Sequence, residues 1–74
     1  MNKVRRKKLN NAFELVNQAK DILEEVKCEE QEAYDNLPES IRYGEKGQEM
    51  GDYLEMIEEA AGYLDDANSV IEQI

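Results

Sequence analysis

The chain reads as all-α: a coiled-coil-like two-helix antiparallel hairpin in a single domain covering residues 1–74. Three observations carry that expectation. Apolar residues recur in alternating steps of three and four from Leu9 to Ala33, and again from Met50 to Ile74; this spacing gathers them on one stripe of a helix. The only proline, Pro38, stands between the two stretches, where its missing amide proton and ring break a helix. No segment alternates apolar and polar residues as a half-buried strand must. A chain of 74 residues is close to the lower limit for a self-sufficient core. Dimerisation into a four-helix bundle is the expected way of supplying the missing burial.

The first helix is expected over about residues 3–34, with Asn2 as its N-cap. In heptad notation Leu9, Val16, Leu23 and Glu30 take position a, and Ala12, Ala19, Val26 and Ala33 take d. The turn follows, over about 35–47, with one short helical turn from Leu37 to Arg42 after an Asn36 cap, ending at Gly44. Gly47 and Gly51 have poor helix propensity, which places the firm start of the second long helix at Gln48 and its end near 73. There Met50, Ile57, Leu64 and Ile71 take a, and Tyr53, Ala60, Ala67 and Ile74 take d; Gly62 falls at the outer position f.

Folding back about the turn sets Leu9 opposite Ile74, Val16 opposite Ala67, Leu23 opposite Ala60 and Ala33 opposite Met50. Small side chains then face larger ones, as close helix packing requires. Glu30 opposite Tyr53 is the one polar layer expected. A slip by one heptad keeps the small-to-large pattern, so turn length has to set the register. Charge points to the same pairing. Lys3, Arg5, Arg6, Lys7 and Lys8 crowd a helix start, and Asp65, Asp66 and Glu72 a helix end; each cluster opposes its own macrodipole and would be relieved by the other. Plain solvation of the basic cluster is the competing account.

More apolar surface remains than one seam uses. Position g carries Leu15 and Ile22 on the first helix and Met56, Tyr63 and Val70 on the second, all along one edge of an antiparallel pair. The opposite edge, position e, is mixed: Phe13, Lys20, Lys27 and Tyr34 against Leu54, Ala61 and Asn68. A contiguous apolar edge marks an interface. The first account is a homodimer and the second a docking face for a different protein; each hairpin has two edges, so both can hold.

Catalytic chemistry finds no residues to use. There is no histidine to act as a base and no glycine-rich phosphate loop, and Ser40 and Ser69 lack an activating partner. A single cysteine, Cys28, excludes an internal disulfide and, without histidine, argues against a zinc site. Di-iron bundles need inward Glu-x-x-His pairs, which are missing here. The expectation is therefore a non-enzymatic protein with no catalytic, cofactor-binding or metal-binding residue. Five of nine basic side chains lie in the first eight residues, so the body bears eighteen acids against four bases. Direct nucleic-acid binding by such a body is disfavoured. Glu24, Glu25, Glu32, Glu55, Glu58, Glu59, Asp65 and Asp66 form acidic ridges, which open an alternative function: a nucleic-acid mimic occupying the basic groove of a nucleic-acid-binding protein. A purely structural assembly element is the third possibility. With a charged start and no long apolar run, the expected setting is cytoplasmic, with no membrane partner.

The turn carries one further signal. The run Glu30-Gln31-Glu32-Ala33-Tyr34-Asp35-Asn36-Leu37-Pro38-Glu39-Ser40, followed by Gly44-Glu45-Lys46-Gly47 and an acidic apolar helix, resembles a family of small uncharacterised acidic helical proteins of phages, prophages and bacteria that share an A-Y-D-N-L-P-E-S turn. The resemblance spans nearly the whole chain. It implies a helical hairpin with a phage-linked accessory role, such as binding and blocking a host protein, and it brings no active residues. Tyr34, Leu37, Pro38, Ile41 and Tyr43 group at this end and form a second candidate contact site.

Overall fold

A computed structural model describes residues 1–74 as three helices: α1 (Lys3–Asp35), α2 (Glu39–Arg42) and α3 (Glu45–Glu72). α1 and α3 run antiparallel side by side, and the four-residue α2 packs on α3 at the closed end. The molecule is a rod of 59 × 15 × 12 Å.

α1 starts where expected. The Asn2 side chain accepts a hydrogen bond from the Arg5 amide at 2.9 Å, satisfying one of the free donors of the first turn. At the other end Asn36 closes α1 as its C-cap rather than opening α2; Pro38 occupies the N-cap of α2 and offers no capping side chain. The Pro38 carbonyl instead collects the amides of Ile41 and Arg42, at 2.9 and 2.8 Å.

The second long helix begins three residues earlier than the glycine content implies, at Glu45 instead of Gln48, so the true connection is shorter than 35–47. Packing outweighs intrinsic propensity here. Gly47 is one of only two buried residues, and an added Cβ would lie 1.9 Å from the Arg42 carbonyl oxygen. Only glycine permits α2 and α3 to approach so closely. Gly47 is thus a contact, not a weakness.

Register and face are separable results. Asn68 on α3 bonds both Phe13 and Asn17 on α1, and Lys20 pairs with Asp65. These links agree with the alignment that sets Val16 opposite Ala67, and a heptad slip would break them. The contact face, however, is rotated. Position a is half-buried throughout, as expected, but several d residues are not: Val26, Ala33, Tyr53, Ala67 and Ile74 are exposed. Their place is taken by position e: Phe13, Lys20, Lys27 and Tyr34 on α1, and Gly47, Leu54, Ala61 and Asn68 on α3. The helices therefore meet along an a/e stripe rather than a/d. No hydrophobic side chain is fully buried.

Candidate protein interface

The closed edge is built from small and polar groups. Asn68, only 5% exposed, donates from Nδ2 to the Phe13 carbonyl at 3.2 Å and to Asn17 Oδ1 at 3.0 Å; its own Oδ1 has no partner. Farther along, Lys20 pairs with Asp65, and Lys27 lies 3.9 Å from Glu58. The lysine stems cover apolar surface while their ammonium groups stay near water. Ala61 adds little bulk on this side, and Gly47 lets the end of α2 approach α3. Exposed pairs of this kind contribute roughly 0.2–1 kcal/mol each, so shape more than charge closes the edge.

The polar layer expected between Glu30 and Tyr53 does not form. The Tyr53 hydroxyl donates to Glu49 Oε1 of its own helix, 2.9 Å away. Because the helices roll towards position e, Tyr53 swings outward and cannot reach α1. The hydrogen bond to Glu49, then the charge of that carboxylate and a small loss of hydration, hold the phenol above the ordinary tyrosine pKa. Tyr63 makes the same four-residue link to Glu59 at 2.9 Å.

The roll leaves the other edge open. Leu15, Ile22, Met56, Tyr63 and Val70 are between 55% and 64% exposed, and they line up with the displaced d residues Val26, Tyr53 and Ile74. On each long helix the g series thus runs beside exposed d residues, Val26 on α1 and Tyr53 and Ile74 on α3. The carboxylates Glu24, Glu25, Glu32, Glu55, Glu58, Glu59, Asp65 and Asp66 all face solvent; Asp65 and Glu58 lie towards the closed edge with their lysines, while Glu25, Glu32, Glu59 and Asp66, at position c, adjoin the g series.

At the closed end the five turn residues separate into two groups. Leu37 and Tyr34 are half-buried and belong to the packing, whereas Pro38, Ile41 and Tyr43 are exposed, Tyr43 by 80%. Between them lies a residue absent from the expected set, Arg42. Its Nη2 donates to the carbonyls of Asp35 and Leu37, at 2.9 and 3.1 Å, and its guanidinium lies 5.9 Å from the centre of the Tyr34 ring. It thereby occupies carbonyls that the end of α1 leaves free, and adds a cation–π contact. The clue in the sequence was a basic residue one turn beyond the proline, ahead of a glycine.

The basic cluster at the open end behaves differently from expectation. Asp65 is engaged by Lys20, and among the first eight residues only Arg6 reaches across, donating to the Ile74 backbone oxygen at 3.1 Å. Lys3, Arg5, Lys7 and Lys8 make no ion pair within the chain. Cys28 is exposed, as position f implies. No group of three His, Cys, Asp or Glu side chains converges in a way that could hold a metal ion, and no helix is long and apolar enough to cross a membrane.

Protein-family models, curated proteins and solved structures offer no match to this chain. The residues themselves must carry the functional reading.

Proposed function

We propose that this protein is a non-enzymatic protein–protein interaction module, acting in the cytoplasm as a phage-type accessory or inhibitor chain that binds a host protein. In this reading it homodimerises through the open d/g edge into a four-helix bundle, and the turn residues Pro38, Ile41 and Tyr43 remain available to another protein. One observation supports it above the others: an apolar stripe with Ile22 and Tyr63 at its centre, 60% and 64% exposed, on a rod with no buried hydrophobic side chain. Contiguous exposed apolar surface of this kind is characteristic of interaction sites. The phage-type component rests on the A-Y-D-N-L-P-E-S turn alone.

The test is the solution mass of the double variant Ile22→Glu/Tyr63→Glu. Light scattering at about 100 µM should give a dimer for the natural chain and a monomer for the variant, since a charge at the centre of a desolvated patch costs several kcal/mol. An unchanged mass would sink the proposal.

The exposed acidic ridges favour a second reading, in which the protein imitates a phosphate backbone and occupies a basic groove. Salt separates the two. Mimicry requires partner binding that collapses between about 50 and 500 mM salt, whereas apolar docking changes little over that range.

A further inference from the structure

The open edge is not uniform along its length, and its polarity specifies how a second copy lies on it. On α1 the g series runs Lys8, Leu15, Ile22, Glu29; on α3 it runs Glu49, Met56, Tyr63, Val70. Arg5 extends the stripe on the d side beyond Lys8. The stripe is therefore basic at the open end of the hairpin, apolar in the middle and acidic at the closed end. Arg5, Lys8 and Glu29 are exposed with no ion-pair partner in their own chain, and Glu49 accepts only the Tyr53 hydroxyl. The lysines that do find carboxylates, Lys20 and Lys27, both lie on the closed edge.

The accessible surface of one chain is 5846 Å², against about 4,700 Å² for a compact monomer of this mass, an excess of about 1,100 Å². The radius of gyration is 17.1 Å, where a compact chain of this length would have about 11 Å. A standard interface removes about 800 Å² from each partner. The surplus is therefore of the size that one copy can cover.

Resting on the interaction reading above, we infer that two copies pair antiparallel through the d/g stripe, about a twofold axis crossing it midway between Leu15 and Ile22, so that Lys8 and Arg5 of each copy meet Glu29 and Glu49 of the other. The geometry follows from the spacing. An axis there brings Lys8 level with Glu29 across the interface, and Leu15 level with Ile22. Glu49, at the closed end of α3, comes level with the first turn of α1, where Arg5 lies. Apolar residues meet apolar residues in the centre, and each end joins opposite charges. The parallel arrangement brings the two basic ends level with each other and the two acidic ends likewise, Lys8 level with Lys8, Glu29 with Glu29 and Glu49 with Glu49. Like charges at both ends select against it.

A charge-swap series measured by sedimentation equilibrium decides the matter. Lys8→Glu and Glu29→Lys should each raise the dimer Kd about tenfold, because each creates two like-charge contacts per dimer. The double variant Lys8→Glu/Glu29→Lys should return to within about threefold of the natural chain. Both positions are on the surface, and circular dichroism verifies that each variant keeps its helices. Neutral single variants, or a double variant as weak as its parents combined, would overturn the antiparallel arrangement while leaving dimerisation intact. A natural chain that stays monomeric at about 200 µM would overturn the interaction reading itself, and the inference with it.

Discussion

The two edges of this hairpin start from similar helical material and end differently. Edge e combines a phenylalanine, a tyrosine, a leucine, small residues, two lysines and an asparagine; the g series holds five large apolar residues at seven-residue steps, and d adds Val26, Tyr53 and Ile74. The mixed edge is the one that closes, and both buried residues of the protein, Gly47 and Asn68, lie on it. Hydrophobic content alone does not choose a helix–helix contact. Two cylinders touch along a narrow line, and close approach there depends on small side chains such as Ala61 and on polar groups that find partners. Large apolar residues flanking such a line remain outside it. The stickier edge is the one left open to solvent.

The contrast can be attacked from the closed side first. Gly47→Ala should have the largest effect on the hairpin itself, because the new methyl group would collide with the Arg42 backbone. A loss of about 1–3 kcal/mol in urea unfolding is expected. Gly62→Ala provides the control: its Cβ would meet nothing within 4 Å, so the same change should gain up to about 1 kcal/mol. If the two variants behave alike, the close approach of Arg42 to Gly47 is not what holds the turn against α3.

A smaller loss is expected from Asn68→Ala. Removing the amide deprives Asn17 and Phe13 of their donor and should cost about 1–2 kcal/mol. The loss should be independent of protein concentration, in contrast to substitutions at Ile22 or Tyr63, which should matter only where copies associate. Chemical denaturation at two protein concentrations separates the two edges.

The smallest effect concerns Tyr53 on the open side. Its phenol titrates above the ordinary value because Glu49 holds it. The raised folded-state value means that this contribution is fully present below the ordinary tyrosine pKa of about 10 and is lost as pH climbs through the raised value. Glu49→Gln should bring one tyrosine titration step back down in an ultraviolet absorbance curve at alkaline pH. A curve unchanged by the substitution would remove Glu49 as the cause.

Helix content, the position of the turn, the Asn2 cap and the register were legible in the sequence. Period, proline and capping chemistry are local signals; the register needed the length of the turn as well, since the ladder alone tolerates a heptad slip. The rotation of the contact face was not legible, because a heptad pattern with apolar residues at a, d and g and a mixed e series admits two seams. Choosing between them depends on which atoms meet across the gap. Asn68 shows the difficulty: its seven-residue spacing from Leu54 and Ala61 places it on the mixed edge e, but that series alone does not say that edge e closes against α1. Gly47 was misread for a related reason. Propensity counts a glycine against a helix, while only the fold reveals that the Arg42 carbonyl lies where its side chain would be. Of the candidate interface, the five g residues were placed by periodicity; the contribution of Val26 and Tyr53 to the same stripe depends on the rotation and came only with the structure.

The Arg42 bridge at the closed end has a further consequence, in the order of folding. Its contacts to Asp35 and Leu37 span seven and five residues, whereas Asn68 joins α1 across 55 and 51. Short loops lose less chain entropy on closure than long ones. The hairpin is therefore expected to zip from the turn outward, α1 and α3 meeting first beside Gly47 and last at the open end. Arg42 acts at the start of that sequence and Asn68 at its finish. Hydrogen exchange should show the gradient directly, with amides near the turn slowest and those beside Ile71 fastest.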